Sequence, residues 1–361
     1  MSVILFIFIL LVLIVAHEWG HFFVAKLFKI RVDEFGIGFP PLAKKMFHKN
    51  GTDYTLNWIP FGGFVKIYGE NYDSAKDALG KVPADSFIAK PKYAQALVLV
   101  AGIVMNFLVG WLLISVTLLG GVTASTTGVN AKYIEGAPEL MVISVLPETP
   151  AGLAGIVSGD VITSVSANDE SITEVTGDSL IAFIAEHPSE ELTLSIKRDN
   201  TTLFETLTPN IDDNGVAKIG ISMEMVGKVQ LPFFRAFGEG MKATVFTTGQ
   251  IMKGIVGLFT GGTDLASVTG PVGIAGIVGD AAKVGIAQLL SLTAIISLNL
   301  AVINLVPFPA LDGGRILFVA IETITRRPVP TKVFVWANTI GFFLLIGLMI
   351  LITVRDVIHL F

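Results

Sequence analysis

A lipid bilayer has a hydrocarbon core of ~30 Å, which takes about 20 consecutive apolar residues of helix to cross. Three stretches of this chain exceed that length without one charged side chain: Tyr93 to Ala131 (39 residues), Val284 to Leu311 (28) and Val333 to Val354 (22). A fourth runs from Met1 to Ala16 and continues through a polar cluster to Ala25. No Lys or Arg precedes Lys26, and no small-x-small cleavage site follows the first apolar run, so it reads as a retained span and not a signal peptide. The fold class that follows is a polytopic α-helical membrane protein with four transmembrane helices, at residues 1–25, 93–120, 284–314 and 333–354. The scarcity of charge, 15% of 361 residues against roughly 25% in an average soluble protein, agrees.

Orientation follows from where the basic residues fall, because cytoplasmic loops are enriched in Lys and Arg. Residues 26–92 hold 11 of the 25, and the short loop 315–332 holds four (Arg315, Arg326, Arg327, Lys332). Residues 120–283 hold nine against 19 acidic residues. The two basic loops are therefore assigned to the cytosol, and both termini and the acidic insert to the other side. A net charge of −5 offers no basic face, so no nucleic acid partner is expected.

Within the insert, MVISV (141–145), the turn-rich stretch ending at Gly159-Asp160, and VITSV (161–165) read as strand, turn, helix and strand. LTLSIKR (192–198) and TLFETLTP (202–209) continue the alternation, which makes residues 121–230 a compact β-rich domain. Residues 233–259, inside a helical segment 231–283, are amphipathic. Phe233, Phe237, Met241, Val245, Met252 and Ile255 cluster on one side at 100° per residue, and Arg235, Glu239, Lys242 and Lys253 lie opposite. Gly238, Gly240, Gly249 and Gly254 allow either one helix or a broken pair. The segment packs on the folded insert or lies at the membrane interface, rimming a site.

The chemistry concentrates in the first span, at His17-Glu18-Trp19-Gly20-His21. On a helix, His17 and His21 at i and i+4 face the same way and can share a metal, with Glu18 beside the open coordination position. The chain has no cysteine, so a metal must be held by His, Asp or Glu. A rise of 1.5 Å per residue sets His17 roughly 22 Å from the N-terminus, inside the apolar core, where charged groups cost at least ~2.5 kcal/mol each and are functional by default.

Zn2+ wants a third protein ligand. The third span ends Asn304-Leu-Val-Pro307-Phe-Pro309-Ala-Leu-Asp312-Gly313-Gly314, where two prolines interrupt the helix and two glycines free the backbone after a carboxylate. The first and third spans run in the same direction, so Asp312 can reach the depth of His17 and His21. Asn304 either binds substrate backbone and a developing oxyanion or ties helices together. Asn106 and Asn299 are read as packing amides, and His48, His187 and His359 as surface residues.

HEWGHF at 17–22, NLVPFPALDGGR at 304–315 and PAGLAGIVSGDVI at 150–162 together resemble the site-2 protease family of intramembrane zinc metalloproteases, in particular the branch of the bacterial regulator of sigma-E protease. NWIPFGGFVKIYGE (57–70), AGIVMNF (101–107) and GPVGIAGI (270–277) extend the resemblance along most of the chain. It implies Zn2+ on His17, His21 and Asp312, with Glu18 as the catalytic glutamate and Asn304 near the substrate. It also implies a PDZ-like insert on the extracytoplasmic side that filters substrates, in a single-PDZ form, and a membrane-associated β-hairpin at about 57–70. The implied setting is the bacterial inner membrane, with the active site near the cytosolic side. The implied activity is cleavage of single-span membrane proteins, anti-sigma factors or signal-peptide remnants, in regulated intramembrane proteolysis. The segment 136–145 is assigned as the PDZ-like peptide groove. A catalytically silent PDZ scaffold and a metal transporter are the rival readings; the intact His-Glu-His and Asp312 motifs, and the PDZ-like insert, count against them.

Overall fold

The structure, a computed structural model, describes residues 2–70, 82–126, 133–146, 148–168, 170–198, 201–211, 215–261 and 269–360. The chain divides into two compact units, Met1–Thr117 with Phe234–Phe361, and Leu118–Phe233.

Among the described residues, the first unit contains four helices long and apolar enough to cross a membrane: α1 (Ser2–Leu27), α2 (Lys92–Gly120), α7 (Ile286–Leu305) and α9 (Thr331–Leu360). Their apolar residues are distributed all round, as a lipid-facing helix requires. Buried positions form narrow stripes, such as Phe6, Ile9, Leu13, His17, Gly20 and His21 on α1. At Gly20 the backbone of α1 approaches the carbonyl of Ala101 on α2 so closely that any side chain would collide with it.

The hairpin of residues 26–92 is longer than expected. Strand β1 (Val32–Lys49) pairs antiparallel with β2 (Thr52–Ile67) around Asn50-Gly51, both with positive φ, as a tight hairpin turn demands. The segment 57–70 is therefore not a hairpin by itself: most of it is the second strand, and its partner is Val32–Lys49. The outer half carries exposed apolar residues, Leu42, Phe47 and Trp58 among them.

Residues 284–314 do not form one span. Helix α7 ends at Leu305, the chain turns through 306–311, and α8 (Asp312–Thr325) begins at Asp312. Pro307 and Pro309 explain the break, since neither can donate a helical hydrogen bond. Side chains at Gly313 and Gly314 would strike the carbonyls of Leu305, Val306 and Phe308, so the two glycines let the turn fold back on α8.

The amphipathic segment is two helices, α5 (Phe233–Thr260) and α6 (Pro271–Val284), and α5 is unbroken through its four glycines. Trp111 Nε1 donates to Phe237 O at 2.9 Å, and Gly240 lies against Ser115, so α5 packs along the spanning helix α2. Residues 262–268, within the 231–283 segment, lie outside the described residues.

The second unit is the β-rich insert. Its sheet has the order β3 (Val122–Ser125), β11 (Ile221–Val229), β4 (Ile134–Val145), β5 (Val161–Ala167), β7 (Leu192–Arg198) and β8 (Thr201–Leu207), with β6 (Glu170–Ile172) on β5. Helices α3 (Pro150–Leu153) and α4 (Gly177–Glu186) complete it, with a short pair formed by β9 (Asn210–Ile211) and β10 (Ala217–Lys218). Leu140, Ile162, Leu180, Leu194 and Ile196 are its core. Asp160, fully buried, is held by Arg198 Nε at 2.7 Å and accepts from Val157 N at 2.9 Å. The stretch 136–145, expected to form the peptide groove, lies in β4, which is bonded to β11 on one side and, on the other, to β5 at Leu140 and Met141. The half of β11 spanning Ile221–Glu224 has, among the described residues, a strand on one side only.

Candidate metal centre

Three side chains converge in the first unit from sequence positions 295 residues apart. His17 Nε2 lies 2.9 Å from Asp312 Oδ2, His21 Nε2 lies 3.2 Å from the same oxygen, and the two Nε2 atoms are 3.1 Å apart. Two imidazole nitrogens and a carboxylate oxygen this close form one face of a small tetrahedron. Ligands of a tetrahedral zinc at bond lengths of about 2.0–2.1 Å sit about 3.3 Å from one another, so the donor set fits the ion in type, number and spacing. Each element contributes for a local reason. The i, i+4 spacing brings the two His together on α1, and the break at Pro307–Leu311 starts a new helix whose N-terminus carries Asp312, where the helix dipole favours a carboxylate.

The imidazoles are also set from behind. His21 Nδ1 donates to Val98 O at 2.8 Å, which puts its proton there and leaves Nε2 a lone pair facing the cluster. His17 Nδ1 lies 3.2 Å from the Asn106 amide. Under both rings runs α2 at Gly102, where an added Cβ would lie 2.7 Å from His17 Nε2 and collide with His21 Nε2. Gly102 and Asn106 share a face at i, i+4, a spacing visible in AGIVMNF; Asn106, expected as a packing amide, meets His17, and Gly102 is not among the candidates the sequence offers.

A cavity of about 380 Å³ opens over the cluster. Glu18 and Asn304 are on its wall, with Gly63, Val65 and Arg315. Gly63 on β2 comes close to Glu18, and Arg315 at the start of α8 pairs with Glu70 just beyond β2. That ion pair was not foreseen. A second, apolar cavity of about 770 Å³ between α5, α7 and α9 shares Leu311 with the first.

The remaining candidates separate. Asn299 bonds only back to Ile295 O on its own helix, at 3.0 Å. His48 is exposed and pairs with Asp53 at 2.5 Å. His187 is not a surface residue: it is 8% exposed and its Nδ1 donates to Phe183 O at 2.8 Å, closing the end of α4. The side chain of His359 lies outside those described.

Comparison with known proteins decides the lineage. The sequence profile described as Peptidase family M50 matches residues 5–348. The chain belongs to peptidase family M50. Relatives in this family include a Clostridium perfringens protein named as a candidate zinc metalloprotease, 37% identical over 96% of this chain and 95% of its own. The regulator of sigma-W protease RasP of Bacillus subtilis is 28% identical, covering all of this chain and 99% of its own. Among solved structures, the PDZ domain of an SdrC-like protein from Listeria monocytogenes is similar over 25% of this chain and 90% of its own, with 20% identity and a TM-score of 0.21. This M50 protein is accordingly a zinc metalloprotease of the membrane, multi-pass by its four spanning helices.

Proposed function

We propose that His17, His21 and Asp312 hold the zinc and that Glu18 is the general base of peptide hydrolysis within the bilayer. The observation that carries this reading is the convergence of the three donors, 2.9–3.2 Å apart, in a cavity that also contains Glu18. Zinc supplies Lewis acidity there and makes water acidic enough to be deprotonated near neutral pH. Glu18 takes the proton from the attacking water and returns it to the departing amine. Asn304, whose amide no described residue engages, offers a hydrogen bond to substrate backbone or to the developing oxyanion.

The substrates we propose are single-span membrane proteins, of the anti-sigma factor or signal-peptide remnant kind. A helical peptide bond is shielded by its own hydrogen bonds and must be extended before attack. A strand such as β2, passing Glu18 at Gly63, can receive an extended segment by backbone pairing. The insert acts as the PDZ-like filter on the extracytoplasmic side, and its half-free strand edge at Ile221–Glu224 offers main-chain groups for peptide pairing. The basic loops 26–92 and 315–332 face the cytosol, and both termini face outward, in a bacterial inner membrane.

Glu18→Gln tests the core of this proposal. Purified full-length protein carrying it should keep its zinc, while cleavage of a single-span reporter falls by about 10²- to 10⁴-fold. Cleavage at the wild-type rate would remove Glu18 from the mechanism, and wild-type protein without zinc would remove the ligand assignment.

A further inference from the structure

We propose that Asn106 is a positioning residue for the metal centre, its side-chain oxygen accepting the Nδ1 proton of His17 and so fixing the tautomer in which Nε2 is free to bind the ion. This rests on the ligand reading above and adds to it the group that makes His17 competent.

Asn106 is completely buried on α2, and among the described residues its side-chain amide reaches one polar atom: the nitrogen end lies 3.2 Å from His17 Nδ1, while the oxygen end meets no partner there. With the nitrogen toward the ring, Nδ1 must accept, so the imidazole proton sits on Nε2. Yet Nε2 is the atom that points at Asp312 Oδ2 and His21 Nε2. A proton there would occupy the direction the ion needs. Rotating the amide by 180° exchanges its oxygen and nitrogen without moving any other group. The oxygen then accepts from Nδ1–H, and the lone pair of Nε2 faces the cluster.

His21 supplies the parallel within the same site. Its Nδ1–H is taken by the Val98 carbonyl, also on α2 and two turns before Asn106. One helix thus sets both imidazoles, by a main-chain oxygen for one and a side-chain oxygen for the other. The main chain beneath it is tied to α7, because the Asn106 backbone carbonyl accepts a 2.8 Å hydrogen bond from the buried Ser297 hydroxyl. A residue that merely tied helices together would direct its side chain at a neighbouring backbone, as Ser297 does with its hydroxyl; Asn106 directs its amide at His17.

The test is zinc affinity, measured by chelator competition on the full-length protein in detergent micelles, for wild type, His17→Ala, Asn106→Leu and Asn106→Asp. Leu keeps the branched heavy-atom shape of Asn, though it is bulkier, and cannot accept; Asp keeps an oxygen at the same place. Removing a ligand's outer partner typically weakens metal binding 10- to 100-fold, so Asn106→Leu should fall in that range while Asn106→Asp stays within about threefold of wild type. Cobalt-substituted protein should show altered visible bands in the Leu variant and wild-type bands in the Asp variant. Thermal unfolding of the metal-free proteins identifies a variant that fails to fold; if Asn106→Leu does so, the Asp variant alone decides. Wild-type affinity in both Asn106 variants, or equal loss in both with the metal-free fold intact, overturns the proposal. If His17→Ala binds zinc as wild type does, the ligand assignment itself falls.

Discussion

His17 Nε2 and Asp312 Oδ2 stand 2.9 Å apart although 295 residues separate them. The contact exists because α1 and the start of α8 meet over α2, and it joins the two halves of the proposed metal centre. Asp312→Ala should therefore leave a two-histidine site. Zinc measured on the purified protein should fall to well below one ion per chain at micromolar free zinc, while His48→Ala, at an exposed position, should change nothing.

Gly102 makes a sharper steric prediction. A methyl group there would overlap the imidazoles of both His17 and His21, whereas one at Gly347, in the middle of α9, meets nothing within 4 Å. Gly102→Ala should lose zinc and cleavage together in a protein that still inserts in the membrane. Gly347→Ala should match wild type in both, with helix propensity gaining up to about 1 kcal/mol.

The Glu70–Arg315 pair links the end of β2 to α8 at the cavity wall, with both side chains about one-fifth exposed. Charge-assisted bonds of this kind contribute about 1–3 kcal/mol, less where solvent screens them. Glu70→Gln and Arg315→Gln should each lower the thermal midpoint in detergent, and the double variant should cost less than the sum. Strict additivity would show that the pair carries no coupling.

Helix α6 is capped from another helix. Asp356 on α9 accepts from Gly270 N at 3.3 Å and Gly273 N at 2.9 Å, taking up amides that the helix itself leaves open. Asp356→Ala should destabilise the protein by about 0.5–2 kcal/mol. Asp356→Asn, which keeps the oxygen, should cost less; both are read from thermal unfolding.

The absence of cysteine makes topology directly measurable. A single cysteine at exposed Lys49 should resist a membrane-impermeant maleimide added to intact cells enclosed by this membrane alone, and one at exposed Asp178 should react. The reverse pattern would invert the proposed orientation.

Much of this was legible because short-range rules suffice for it. Charge-free length sets the four spans, and HEWGH on a helix presents two imidazoles whatever surrounds it. The hairpin was read too short because β1, with Lys44, Lys45 and exposed apolar residues, lacks the clean alternation of a strand packed on one side only. His187 was misplaced because its burial comes from the closing of α4 and its stacking on Phe183, neither of which has a periodic signature.

The sequence by itself determined that the chain crosses a membrane, that an acidic folded insert interrupts the spans, and that His17, Glu18, His21 and Asp312 are chemically matched to zinc hydrolysis. These follow from transfer energies and from helical periodicity, which act along the chain. Tertiary structure alone decided that α2 forms the floor of the site, with Gly102 making room for the imidazoles and Asn106 and Val98 reaching their far nitrogens. It also decided that Glu70 meets Arg315. Those relationships depend on how closely two helices or a strand and a helix approach, and that distance is set by packing between segments far apart in sequence, where no local pattern records it.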